Sequence, residues 1–94
     1  MINLLIVYDI PDDKTRRIVG DILEGFGTRV NRSVFECRVK NAGQRKKLQD
    51  ALSRVIDPDL DSMRVYALCA NCTASSTALG KEPLPFEEDA VYFF

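Results

Sequence analysis

The stretch that decides the fold reads V-Y-D-I-P-D-D-K-T-R-R over residues 7–17 and F-G-T-R-V-N-R-S-V-F-E-C over residues 26–37. Its first segment ends an apolar strand pattern that begins at Ile2 and contains one aspartate, Asp9. Strands disfavour aspartate, and an unpaired carboxylate is costly to bury among Leu, Ile and Val side chains. Asp9 is therefore expected to cap a helix, to pair with a cation or to bind a metal ion.

Two arginines, Arg16 and Arg17, follow Asp9 within eight residues. Arg16 comes three residues before Val19 and seven before Leu23, at the edge of the apolar stripe of a predicted helix. Arg16 is therefore better placed than Arg17 to reach across the end of the sheet. A carboxylate close to guanidinium groups favours phosphate chemistry.

The hydrophobic periodicity predicts the order β-α-β-β-α-β, the ferredoxin-like arrangement of the α+β class. Strands are expected at residues 3–10, 28–31, 33–40 and 62–70. Such an antiparallel sheet carries both helices on one face and leaves the other face free, with Tyr66 and Leu68 on it. Packing two free faces together would bury them, so a homodimer is expected.

Capping and breaking residues predict where the helices begin and end. Asp12 or Asp13 caps the first helix, which runs to about Phe26 and stops at Gly27. Asn41 begins the second helix, and the Asp-Pro pair at 57–58 ends it. Residues 1–70 then form the ferredoxin-like domain, and residues 71–94 form an irregular connector (71–89) and a short C-terminal strand, packed on the dimer.

The composition removes several classes of protein and site. A chain of 94 residues without a bilayer-length apolar run or signal peptide is expected to be one small cytoplasmic domain. No histidine is present, so the commonest general base is missing. Cys69 and Cys72 form a C-x-x-C pair, but a zinc site needs two more ligands, which only a dimer-related pair could supply. Buried or idle thiols are the default expectation for these residues and Cys37.

The charge is unevenly distributed along a chain whose net charge is only −1. Residues 14–54 carry eleven bases and four acids, a balance of +7, while residues 55–94 carry two bases and seven acids. The basic middle is predicted to form a phosphate-binding face, although a solvated helix face would explain part of it equally well. The candidate nucleic-acid contacts are Arg17, Arg32, Arg38, Lys40, Arg45, Lys46 and Lys47.

Taken together, these residues resemble the family of CRISPR-associated protein two, the small dimeric subunit of the spacer-acquisition machinery. The resemblance rests on Tyr8-Asp9-Ile10 at the end of the first strand and the arginine seven residues later. It rests further on the F-G-x-R-V-x-x-S-V-F-E motif at 26–36 and the V-Y-x-L-C strand at 65–69. The likeness covers roughly residues 3–70, with weaker support from the last five.

The resemblance implies a two-fold dimer that binds duplex DNA and bridges dimers of the adaptation integrase, CRISPR-associated protein one. It also implies a metal-dependent endonuclease acting on RNA or DNA, in which Asp9 of each subunit binds a shared Mg²⁺ or Mn²⁺ near the two-fold axis. The residues matching the family's catalytic arginines are Arg16 and Arg29, with Phe35 nearby. A further basic position of the family is Ile18 here, which puts catalytic strength in doubt.

Two functions outside spacer acquisition stay open on the sequence. One is a toxin-type ribonuclease of similar fold. A small-molecule regulatory module would share the fold, although no glycine-rich ligand loop supports it. Asp9 itself could simply cap the first helix or pair with Arg16 to stabilise the fold.

Overall fold

The order of strands and helices in the computed structural model, which describes residues 1–80 and 85–86, follows the predicted pattern. The elements are β1 (Ile2–Asp9), α1 (Asp13–Glu24), β2 (Gly27–Asn31), β3 (Val34–Val39), α2 (Ala42–Ser53), β4 (Ser62–Leu68) and α3 (Ala70–Ala74). The four strands form one antiparallel sheet in the order β2-β3-β1-β4. This order is that of the ferredoxin-like fold, so the predicted fold class is confirmed.

Strand β1 lies at the centre of the sheet because it pairs along its length with both β3 and β4. Its even-numbered residues face the helices, and Leu4, Ile6 and Tyr8 are buried there. Phe35 and Cys37 of β3 add to the same core, which α1 and α2 cover. The odd-numbered residues of β1 face the other side, which places Asp9 at the end of the open face of the sheet.

The helix ends differ from the predicted ones for identifiable reasons. Asp12 is the N-cap of α1, and its carboxylate accepts hydrogen bonds from the Thr15 backbone N–H (2.8 Å) and hydroxyl (2.9 Å). The helix ends at Glu24 with Gly25 as its C-cap, so the prediction that it continues to Phe26 is wrong. Gly27 lies in β2, where a Cβ atom would come within 2.0 Å of the Glu36 carbonyl oxygen.

The second helix also ends earlier than the sequence suggested. Asn41 is its N-cap as predicted, but α2 ends at Ser53 with Arg54 as C-cap, before the Asp-Pro pair at 57–58. The carbonyl of Asp57 instead accepts from the backbone N–H groups of Leu60 and Asp61, so this pair belongs to the turn that leads into β4.

The predicted irregular connector is wrong at its start, because residues 70–74 form the short helix α3. The side chain of Thr73 on this helix accepts a hydrogen bond from the buried Asn3 amide at 3.0 Å. Helix α3 therefore covers the end of the open sheet face that lies farthest from Asp9, while Tyr66 keeps 45% of its surface exposed.

The predicted C-terminal strand lies outside the described residues. No helix in the described part of the chain is long and apolar enough to cross a membrane.

Candidate active-site cleft

A cleft of about 860 Å³ opens where β1 ends and the turn between β2 and β3 returns to the sheet. It is lined by Asp9 and by four arginines, Arg16, Arg17, Arg29 and Arg32. Asp9, Arg16 and Arg29, the three residues expected to be catalytic, therefore line the same cleft, although they come from β1, α1 and β2. Two of the expected nucleic-acid contacts, Arg17 and Arg32, join them there.

Asp9 presents its carboxylate to solvent at the edge of this cleft. In the described part of the chain it accepts no hydrogen bond and pairs with no cation. Asp12 caps α1, and Arg16 pairs with Asp13. The two structural roles that the sequence left open for Asp9 are thus taken by other carboxylates. Its carboxylate stays available to a ligand.

Arg16 is held in place from two sides. Its Nη1 donates to the carbonyl oxygen of Ile10 at 2.9 Å, and its Nη2 forms an ion pair with Asp13. The Ile10 carbonyl lies directly after β1, so this bond ties the guanidinium to the end of the strand that carries Asp9. About two-fifths of the Arg16 side chain remains exposed, which leaves it accessible to a ligand in the cleft.

Arg29 is fixed by contacts to the sheet, to the β2–β3 turn and to α1. Its guanidinium carbon lies 4.8 Å from the centroid of the Phe35 ring, and its Nη1 donates to the carbonyl oxygen of Arg32 at 2.7 Å. A Cβ atom at Gly20 of α1 would come within 2.6 Å of Arg29 Nη2. The glycine therefore makes room for a guanidinium that lies between the helix and the aromatic ring.

The carbonyl of Arg32 connects several parts of the cleft, and sequence reasoning did not identify it. It accepts from Arg29 and also from the Tyr8 hydroxyl at 3.4 Å, while the Tyr8 backbone N–H donates to the Ser33 carbonyl at 3.0 Å. The ring of Tyr8 stacks with Phe35, with centroids 6.3 Å apart. Tyr8 thus lies on the opposite face from Asp9, as predicted. A backbone acceptor in a turn leaves no signal in a side-chain pattern.

The other predicted nucleic-acid contacts lie away from the cleft. Arg38 and Lys40 lie at the end of β3 that pairs with Ile2, and the other three lie on α2. Arg45 donates to Gln49 and Lys46 pairs with Asp50, whereas Arg38 is half-buried on the open face. Lys40 and Lys47 are exposed. The basic middle segment therefore supplies two separate basic regions.

The donor set for a metal ion is sparse within one subunit. In residues 1–80 and 85–86, no group of three acidic or sulfur side chains could hold a metal ion. Among the described residues, Asp9 and Asp13 are the carboxylates that line the cleft, and Asp13 is engaged by Arg16 whereas Asp9 has no partner. Mg²⁺ commonly takes only one or two carboxylates and fills its other positions with water and phosphate oxygens. Asp9 could therefore supply one ligand of such an ion, and a second carboxylate would have to come from outside the described residues of one subunit.

The comparison with protein families identifies the chain. The model of the family described as CRISPR associated protein Cas2 matches residues 1–75. The protein belongs to the Cas2 family. A CRISPR-associated endoribonuclease Cas2 from Chloroflexus aurantiacus is 39% identical over 89 residues, covering 94% of this chain and 95% of the relative.

Two solved structures support the same assignment. The crystal structure of Cas2 from Streptococcus pyogenes matches with a TM-score of 0.73 and 32% identity, covering 85% of this chain and all of the other. A chain of a partial Cas6-RT-Cas1–Cas2 complex matches with a TM-score of 0.75 and 28% identity, covering 89% of this chain and 97% of that one. The alternatives of a toxin-type ribonuclease or a regulatory module gain no support from these matches.

Proposed function

We propose that this protein is an adaptation subunit that forms a homodimer, binds duplex DNA and works with the Cas1 integrase during spacer acquisition. We further propose that its cleft is a metal-dependent endonuclease site acting on RNA or DNA. The observation that carries the proposal is the cleft itself, which is lined by four arginines and by Asp9, a carboxylate that has no partner among the described residues. Membership of the Cas2 family and the relative named as an endoribonuclease support it.

The arginines of the cleft suit the binding of a phosphodiester. A guanidinium has a fixed planar fork of donors that matches two phosphate oxygens. Arg16 and Arg29 are already oriented by the carbonyl oxygens of Ile10 and Arg32, so little ordering is left for the moment of binding. Pre-positioned cations of this kind lower the energy of a transition state in which negative charge grows on the phosphate. Arg17 and Arg32 are exposed and would contact neighbouring phosphates.

The described cleft holds no histidine, the commonest general base, and we therefore propose that a divalent cation supplies the activated water. When bound, Mg²⁺ or Mn²⁺ would activate water and offset charge on the phosphate. Asp9 from each of two subunits would hold it, since one subunit supplies a single uncommitted carboxylate. The Asp9 residues lie at the end of the open sheet face, the face through which we propose that the dimer packs.

The second basic region serves the proposed scaffold role. Lys40 and Lys47 are exposed and do not line the cleft, so a duplex can contact them without entering it. Such phosphate contacts predict binding that depends little on sequence and strongly on salt. The logarithm of the affinity should fall with the logarithm of the salt concentration, with a slope of about −0.9 per phosphate neutralised. An affinity that does not change with salt would contradict the scaffold role.

Spacer integration in vitro tests the proposal directly. The cognate Cas1 is mixed with wild type, with Asp9→Ala or with no second protein, and insertion of a short duplex into a repeat-containing plasmid is measured. We expect integration with both wild type and Asp9→Ala, because the scaffold surface and the cleft are separate. Nuclease activity, assayed on RNA and DNA with Mg²⁺, should be lost only in Asp9→Ala. No integration with wild type would contradict the scaffold role, and cleavage by Asp9→Ala would contradict the proposed nuclease site.

A further inference from the structure

Two cysteines lie close together on the surface where β4 leads into α3. Cys69 and Cys72 are both exposed, and their Sγ atoms lie 3.0 Å apart. The backbone N–H of Cys72 also donates to the Sγ atom of Cys69 at 3.3 Å. The third cysteine, Cys37, is buried in the core. The chain thus carries one pair of accessible thiols, and the buried Cys37 thiol serves as a control that should not react.

The fold holds this pair from both sides. Cys69 follows Leu68, whose strand is paired with Asn3 of the central strand β1. On the other side, the Thr73 backbone N–H donates to the Cys69 carbonyl at 3.0 Å, and the Thr73 hydroxyl accepts from the buried Asn3 amide at 3.0 Å. The two thiols therefore stay within reach of one another because the sheet and α3 are joined through Asn3. An unfolded chain would lose that constraint.

The two thiols are not equivalent. The side-chain hydrogen bond from Cys72, with its backbone N–H, lowers the pKa of the Cys69 thiol, while the same interaction raises the pKa of Cys72. Burial raises the pKa of Cys37 to about 11. The thiolate is the reactive form in thiol–disulfide exchange, and the Cys72 backbone N–H that donates to Cys69 Sγ favours Cys69 as the attacking group.

We propose that Cys69 and Cys72 form a redox-active dithiol that closes to an intramolecular disulfide by exchange with a small disulfide such as oxidised glutathione. The Cys69 thiolate attacks one glutathione sulfur, the glutathione S–S bond breaks, and one glutathione thiol is released. The Cys72 thiolate then attacks Cys69 Sγ and releases the second glutathione. Two protein thiols lose two electrons and two protons, and one glutathione disulfide becomes two thiols.

This site is separate from the proposed nuclease cleft. Cys69 follows the end of β4 that pairs with Asn3, whereas Asp9 pairs with Ser62 at the other end of the same strand pair. Oxidation is therefore expected to leave nucleic-acid cleavage unchanged. The redox assay needs no nucleic acid, metal or Cas1, so its failure and failure of the proposed function can be told apart.

The test is an equilibrium titration of the full-length protein against glutathione buffers of graded ratio, with EDTA present to remove metals. Free thiols are trapped by rapid alkylation, and intact mass and peptide mapping identify the species. We expect wild type to form one intramolecular Cys69–Cys72 disulfide while Cys37 stays reduced. We expect the folded protein to favour this disulfide at least about tenfold more than the same protein in urea, since the fold fixes the two thiols.

Single-cysteine variants assign the roles. Cys72→Ser should stop at a mixed disulfide between Cys69 and glutathione, and Cys69→Ser should react more slowly, because it lacks the sulfur that accepts the Cys72 backbone N–H. Equal stability of the disulfide in folded and urea-unfolded protein would overturn the proposal. So would a wild-type product carrying one glutathione on each of the two cysteines.

Discussion

Gly20 of α1 leaves room for the guanidinium group of Arg29 on β2, because a Cβ atom at Gly20 would lie 2.6 Å from Arg29 Nη2. Apart from the chain neighbours of Gly20 and the backbone of α1, no other described residue has an atom within 4 Å of that position, so the space left by the glycine is occupied by this guanidinium. The atom in question is the far end of a flexible side chain. A methyl group at Gly20 would therefore displace Arg29 from the Phe35 ring rather than disrupt the core.

The variant Gly20→Ala should separate stability from activity. Alanine favours a helix interior over glycine by about 0.5–1 kcal/mol, so the free energy of unfolding should stay the same or rise. Cleavage should fall about tenfold, since a displaced guanidinium no longer meets the phosphate in its prepared position. Urea unfolding and cleavage rates measure the two effects. Gly43→Ala on α2 is the matched control and should change neither rate nor fold, whereas a Gly20→Ala variant with full activity would contradict this role.

Phe35 supports the cleft from beneath, so its loss should affect both stability and activity. Its ring is fully buried, stacks with Tyr8 and lies under Arg29. Phe35→Leu should lower the free energy of unfolding by about 1–2 kcal/mol, because the packing and the ring contacts are lost together. It should also slow cleavage, because Arg29 loses the aromatic ring against which its guanidinium lies. Phe26→Leu, at a half-buried ring, should cost less stability and leave cleavage at the wild-type rate.

Neutralising either of the two described cleft carboxylates should strengthen nucleic-acid binding, but only one of the two changes should abolish cleavage. Asp13→Asn removes the acid that engages Arg16, and Asp9→Asn removes the acid proposed to bind metal. Each variant makes the cleft less negative, so both should bind RNA or DNA about two- to tenfold more tightly at low salt. Only Asp9→Asn should lose Mg²⁺-dependent cleavage. Fluorescence anisotropy and a cleavage assay on the same samples check this, and loss of cleavage in both variants would argue against distinct roles.

Asp12 should make the stability of the fold depend on acid pH. Hydrogen bonds from the Thr15 backbone N–H and hydroxyl lower the pKa of this carboxyl below its ordinary value of 3.8. Its stabilising effect is therefore fully present above 3.8 and is lost as the pH falls through the lowered folded-state pKa. Asp12→Asn keeps a capping side chain that does not titrate. Urea unfolding at pH values on both sides of 3.8 should show wild type losing stability more steeply than this variant, and parallel curves would contradict it.

The sequence predicted the element order because each element carries its own periodic pattern. The alternation of Phe35, Cys37 and Val39 identified β3, and the burial of all three confirms it. The helix ends were harder, since Gly25 and Gly27 are both plausible stops and the choice depends on tertiary contacts. Gly27 is required by the close approach of the Glu36 carbonyl, and that contact exists only once β2 and β3 have paired.

The side chains that line the candidate cleft could be predicted from the sequence, whereas the groups that position them could not. Asp9, Arg16 and Arg29 follow from residue type and family motif, and the structure places all three on one cleft. The Arg32 carbonyl and the space at Gly20 depend on how the turn and α1 come together, which no local pattern encodes. Helix α3 was missed because its five residues are too few to show a helical period.

We propose that the metal site of one cleft is incomplete until a second copy of the chain supplies another Asp9. Mixed dimers with one wild-type and one Asp9→Asn subunit, isolated by two different affinity tags, test this directly. Mg²⁺-dependent cleavage by the mixed dimer should match the background of the Asp9→Asn homodimer, while the wild-type homodimer cleaves. Cleavage by the mixed dimer at half of the wild-type rate would contradict the claim, because each subunit would then hold a complete site.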